Sequence, residues 1–274
     1  MDSGALMNSR ISSGVVSDIW ETASSWLHNN FIQLTKRTAP LDSLHIVTAA
    51  DSSHGDSLIQ LLGSIYNHEP QATVEVVDMG LSNEQLRNIG NLFPELKMKI
   101  SEFHFEKYPS FFNVKVNAGE YAWKPIIIYN SSLETNSRVL LWLDAGDVIT
   151  GKLIAERHAV IKYGFWSPKS AGTIREWTHS GLLSKFGFSP RQLGSRNFNG
   201  AIVGFCPGGS KGQLLLELWA LTAMQKSWIA PEGSNRENHR QDQALLSVLA
   251  VALDRKTRPS RPSRILLHQD VENE

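Results

Sequence analysis

Cysteine is nearly missing from this chain: Cys206 is the one thiol in 274 residues. That excludes an internal disulfide and any metal site built on a Cys-x-x-Cys pair, and it fits a reducing compartment. A charge of one sign is missing too, because 27 basic residues balance 27 acidic ones. No long basic block occurs, so a nucleic-acid backbone is not expected as a partner. Apolar runs fall far short of the ~20 residues that cross a bilayer. The N-terminus MDSGALMNSRISSGVV lacks the basic start and apolar stretch of a signal peptide. A soluble, cytoplasmic protein with no transmembrane segment is therefore expected. Internal repeats, low-complexity segments, His-x-x-x-His pairs and Gly-rich phosphate loops are absent as well.

What is present is ordinary globular composition, 41% hydrophobic and 20% charged. That is enough for one large domain with a small appendage. Val16, Ile19, Trp20, Ala23 and Leu27 recur at helical spacing, which predicts a helix over residues 17–37 and an N-terminal helical extension over residues 1–40. From residue 41 the pattern becomes strand, loop, helix. LHIVTA (44–49) reads as a strand, DSSHGD as a turn, and Leu58 to Ile65 as a helical face. TVEVV (73–77) is a second strand. Ser82 to Gln85 has capping-box spacing ahead of a second helix. Residues 98–105 read as a third strand, and residues 119–133 as a helix with Pro125 in its first turn. VLLWLD is nearly all apolar, as a strand covered on both faces must be. Strands over 164–166 and 200–205 and helices over 214–224 and 243–253 complete an α/β domain spanning 41–274. Such alternation predicts a mostly parallel sheet with helices on both faces.

Ligands of open α/β sheets bind beyond the carboxyl ends of the strands. Three such ends carry polar residues: Ala49-Ala50-Asp51, Asp144-Ala145-Gly146-Asp147, and Arg196 to Asn199 leading into GAIVGF. A carboxylate at the tip of a buried strand needs a cation, a donor or a ligand. Two carboxylates three apart suit a shared Mg²⁺ or Mn²⁺ with a diphosphate. The plainer reading of Asp144, Asp147 and Asn199 is that they cap turns. Asp242 is equally well explained as a helix cap. Lys124 is a mobile point charge ahead of the acidic strand, able to reach a diphosphate, or a solvated lysine. The polar loop containing Arg236 to Arg240 reads as a lid over a bound donor or as a solvated loop. Trp166 and Trp177 flank a polar stretch suited to sugar faces, although tryptophans are more often core.

LLWLDAGDVI resembles the Asp-x-Asp segment of GT-A glycosyltransferases, especially the family 8 type, which retains configuration. HIVTAAD, NFNGAIVGF and HRQDQALL are similar, in the same order, to that family's first strand, Phe-Asn-x-Gly strand and Asp-Gln helix start. The resemblance spans residues 44–253 and implies a GT-A-like (Rossmann-like) fold. It implies that Ala49, Asp51, Lys124, Asp144, Ala145, Asn199 and Gly200 bind the donor. Asp242 and Gln243 would lie beside the anomeric carbon as catalytic residues. The second motif Asp is expected at 146, where this chain has Gly146, with Asp147 one position later. The implied metal ligands are Asp144, Asp147 and His268, for Mn²⁺ or Mg²⁺. The expected activity is transfer of a hexose from a nucleotide diphosphate sugar, foremost a UDP-sugar, to a hydroxyl of a glycan, lipid or protein acceptor. The alternative is a catalytically silent nucleotide-sugar or carbohydrate-binding module of the same fold. A sugar-1-phosphate nucleotidyltransferase is disfavoured, since AADSSHGDS carries one glycine after the first strand.

Overall fold

A computed structural model describes Pro40, residues 43–255 and residues 263–271. The expected N-terminal helix, and most of the Pro-rich TRPSRPSR segment, lie outside the described residues. Six strands form the central sheet in the order β3-β2-β1-β4-β9-β6. They are β1 (Leu44–Ala50), β2 (Thr73–Asp78), β3 (Lys97–Glu102), β4 (Val139–Leu143), β6 (Phe165–Trp166) and β9 (Ile202–Phe205). β1 pairs in parallel with β2 and β4, and β2 in parallel with β3. β9 is antiparallel to both β4 and β6. The sheet is thus mostly parallel, with β9 reversed. Two small ribbons flank it: β5 (Val148–Ile149) with β10 (Ile265–Leu266), and β7 (Lys169–Thr173) with β8 (Arg196–Phe198).

Helices cover both faces, as the apolar strands require. On one side α1 (Gly55–His68), α2 (Asn83–Leu92) and α4 (Ile154–Tyr163) pack through Leu58, Leu61, Ile65, Ile89 and Val160. On the other side α3 (Trp123–Glu134), α5 (Ser210–Ala223) and α6 (Gln241–Ala252) pack through Ile126, Tyr129, Leu215, Trp219, Leu245 and Leu249. All five residues of β4 are buried. Leu140, Leu141, Trp142 and Leu143 are at most 1% exposed, and each such side chain contributes about 1.5–3 kcal/mol of transfer free energy.

Local signals act as the sequence implies at several ends. Ser82 caps α2 in a full capping box with Gln85. Gly164 ends α4 in the left-handed region, φ +76, where its N–H reaches Val160 O at 2.8 Å. The third strand runs Lys97–Glu102 against the expected 98–105, the helix expected from 214 starts at Ser210, and one further start differs beside the strand ends. The helix expected from Gly119 begins at Trp123, because Asn117 through Tyr121 all have φ between 49 and 61. That left-handed turn cannot run on into a right-handed helix. Gly119 is needed inside it, since a Cβ there would meet the Phe112 carbonyl.

Candidate active site

The carboxyl ends of β1, β2 and β4 open on one edge of the sheet. β9, being reversed, begins at that edge, so the loop Asn199-Gly200-Ala201 lies beside Asp144. Asp144 N–H donates to Ala201 O at 3.0 Å. Asn199 shapes this loop, its Oδ1 accepting from Ala201 N–H at 2.6 Å.

Lys124, in the first turn of α3, is the centre of the arrangement. Its ammonium lies 2.8 Å from Asp144 Oδ1 and 3.4 Å from Asp242 Oδ2, and it donates to Gly200 O at 3.2 Å. The lysine is 3% exposed. Burial alone would lower its pKa, but Asp144 and Asp242 outweigh that and hold it above the usual lysine value. The Trp142 indole N–H donates to the same Asp144 Oδ1 at 2.6 Å. Asp242 sits in the first turn of α6 and is 6% exposed. Its Oδ2 makes no hydrogen bond, so Lys124 is its partner of opposite charge. Burial raises the Asp242 pKa, with Lys124 opposing. Gln243 bridges outward: its Oε1 accepts from Gly200 N–H at 3.3 Å and its Nε2 donates to Ser170 Oγ at 3.4 Å.

Two cavities meet at this cluster and share Tyr121, Lys124, Asp144 and His268. One, about 260 Å³, opens at the strand ends and includes Ala49, Ala50, Asp51, Ala145 and Asp147. The other, about 290 Å³, includes Ser170, Trp177, Asn199, Gly200, Asp242 and Gln243. All the sequence-expected residues therefore line one or both cavities. Their roles differ in detail. Asp51 Oδ1 is occupied by Ser53 and His54. Burial would raise its pKa, and those hydrogen bonds lower it below the usual carboxylate value. Asp147 is fully buried, and its Oδ1 has no partner. Burial, and then the charge of Asp144, push its pKa up to about 8. In this environment it is mainly protonated near neutral pH.

A divalent cation does not fit the donors present. Among the described residues, no three His, Cys, Asp or Glu side chains are grouped so as to hold a metal ion. Asp147 is turned into the core, and Asp144 is engaged by an ammonium and an indole. Gly146 has no side chain to contribute, and a Cβ there would run into the Asp270 carboxylate. Asp144, Asp147 and His268 thus do not form the metal set that the resemblance implied.

Several functional features were not legible in the sequence. Trp142 read only as an apolar strand residue, yet it orients Asp144. Asp270 carries no motif, yet its segment is pinned over the acidic loop by Gln269 N–H to Gly146 O, 2.6 Å, and Val271 N–H to Ser57 Oγ, 3.0 Å. Strained backbone also marks the place. Of the non-glycine residues with positive φ, Ala118, Tyr121, Gln241 and His268 line these cavities. Each such residue costs about 1–3 kcal/mol and persists where surrounding structure enforces it. His239 is a structural residue: it is 1% exposed, its Nδ1 accepts from His179 N–H at 3.3 Å, and its Nε2 bonds Ile229 O at 3.0 Å. Burial lowers its pKa to about 4.

A family model described as a protein of unknown function (DUF1647) matches residues 18–129. No curated protein matches the chain. Among solved structures, the galactosyltransferase LgtC in complex with donor and acceptor sugar analogs is similar over 75% of this chain and 70% of its own, at 19% identity and TM-score 0.49. The bifunctional glycosyltransferase WbbM is similar over 78% and 38%, at 12% identity and TM-score 0.45. The glycosyltransferase GlyE of Streptococcus pneumoniae TIGR4 is similar over 76% and 43%, at 14% identity and TM-score 0.43.

Proposed function

We propose that this protein is a glycosyltransferase that moves a hexose from a nucleotide diphosphate sugar, foremost a UDP-sugar, to a hydroxyl acceptor with retention of configuration. The observation that carries this reading is the cluster of buried Lys124 and Asp242 with half-buried Asp144, where two cavities join. The nucleotide belongs in the cavity beyond the strand ends, where α/β sheets hold their ligands. Ala49, Asp51, Asp144 and Ala145 line it, and the diphosphate extends toward the shared wall. There Lys124 is, among the described residues, the one lysine or arginine common to both cavities. It supplies fixed positive charge as the leaving diphosphate gains negative charge. Because the ammonium is held by three oxygens, it is preorganised and needs no reorientation during reaction.

Gln243 and Asp242 line the second cavity beside Lys124, where the sugar's anomeric carbon would lie, and Gly200 permits their close approach. A Cβ at 200 would lie 3.0 Å from Asp242 Oδ2 and 3.2 Å from Gln243 Cβ. Catalysis on this reading is positioning and electrostatic stabilisation. The leaving phosphate accepts the acceptor's proton, so no protein nucleophile is required.

The test is incubation of purified protein with a panel of UDP- and GDP-sugars, following released nucleotide and binding of UDP and GDP. Turnover that disappears in Asp242→Asn while UDP still binds supports the reading. UDP binding with no turnover on any donor supports the silent binding module instead. Absence of any nucleotide binding refutes both.

A further inference from the structure

The second cavity carries positive charge that the catalytic cluster does not use. Arg236 and Arg240 line it from the loop that precedes α6. Neither pairs with a carboxylate among the described residues. Each guanidinium is instead held by an aromatic side chain. Arg240 lies 4.0 Å from the centre of the Trp177 ring, and Arg236 lies 5.4 Å from that of Tyr121 while donating to its hydroxyl at 2.5 Å. Stacking orders the planar fork of Arg240 and leaves its N–H edge available, which is the geometry that grips a carboxylate or sulfate through two bonds. The Tyr121 hydroxyl orders Arg236 through one N–H and leaves its others for the same ligand. The loop is tied down: the buried His239 anchors it to Ile229, and Arg240 N–H reaches Trp177 O at 3.2 Å. The two cavity carboxylates, Asp144 and Asp242, are both claimed by Lys124. Around the arginines the wall offers Ser170, Gln241 and Gln243, which suit sugar hydroxyls.

We infer that this cavity is the acceptor site and that the acceptor is an anionic glycan, recognised through a carboxylate or sulfate by Arg236 and Arg240. The inference rests on the glycosyltransferase reading for the word acceptor, and on the arginine geometry for the charge. Position separates it from the nucleotide end of the donor cavity, because the arginines line only the second cavity, which does not include Ala49, Asp51 or Ala145.

The experiment titrates three disaccharides into the purified protein, each with and without saturating UDP. One is neutral, one carries a uronic acid and one carries a sulfate. Isothermal calorimetry reads affinity for wild type, Arg240→Ala, Arg240→Lys and Arg236→Ala, and UDP is titrated into each protein separately. The expected result is anionic probes binding about tenfold more tightly than the neutral one, the increment of about one charge-assisted hydrogen bond. Arg240→Ala and Arg236→Ala lose that preference, Arg240→Lys retains only part of it, and UDP affinity stays unchanged. The better of the two anionic probes identifies the group recognised. Equal binding of all three probes overturns the proposal. So does a loss of UDP affinity in the arginine variants, which would assign them to the donor. Absence of UDP binding with the anionic preference intact refutes the transferase reading and leaves the anionic-sugar site standing.

Discussion

Asp147→Asn should stabilise the fold, and increasingly so as pH rises. The carboxyl is fully buried, and its folded pKa lies near 8 because of burial and the neighbouring Asp144. In the unfolded chain an aspartate titrates near 3.9. Between about pH 4 and pH 8 the unfolded state has therefore released a proton that the folded state keeps. Stability then falls with rising pH, by about 1.4 kcal/mol per unit. At pH 7 this group opposes folding by up to about 4 kcal/mol. Relaxation of the buried site reduces that, so about 2–4 kcal/mol is the working range. Asparagine matches the neutral form in shape, and its Oδ1 can keep the bond from Asp144 N–H, 3.2 Å in the wild type. Urea denaturation of both proteins at pH 4, 6 and 8 reads the effect. The two curves should nearly coincide at pH 4 and separate steadily to pH 8, with the variant more stable. A variant equally or less stable at every pH would refute the claim that Asp147 is a buried neutral acid.

Other outcomes follow from the same cluster. Lys124→Met removes the shared cation from two carboxylates, so it should lower stability by about 3–5 kcal/mol by urea melt and abolish turnover. Retained turnover would remove Lys124 from the mechanism. Gly200→Ala forces Asp242 and Gln243 apart by a few tenths of an ångström. Turnover should fall about tenfold, as expected of a misplaced reacting group, while calorimetry shows UDP affinity within about twofold of wild type. UDP affinity should also differ by less than about twofold between EDTA and excess Mn²⁺, since the donors present do not fit a divalent ion. A strong Mn²⁺ dependence would instead draw Asp270 into the ligand set.

Much of the chain was legible because its information is local. LHIVT, TVEVV and VLLWL are β-rich and apolar enough to become covered strands. The Ser82–Gln85 spacing produced the capping box, and alternation of these units implied the α/β class with a mostly parallel sheet. The reversal of β9 was not legible, since GAIVGF is equally apolar in either direction. Nor was the start of α3. Gly119 gave no sign that four non-glycine neighbours would join it at positive φ. Those residues are held by contacts such as Gln241 Nε2–H to Glu120 Oε2, 3.4 Å, and the Arg236 guanidinium to the Tyr121 hydroxyl, 2.5 Å, which are tertiary in origin.

The sequence by itself determined the elements, the apolar faces and the acidic tip of β4, because helix and strand periodicity and capping depend on near neighbours. Tertiary structure decided which charges meet. Lys124, Asp144 and Asp242 are far apart along the chain, and their ion pairs exist only because α3, β4 and α6 converge on one sheet edge. Burial, which no spacing encodes, then separated two similar aspartates. Asp144 keeps a cation and a share of solvent, whereas Asp147, three residues on, is sealed in the core and keeps its proton.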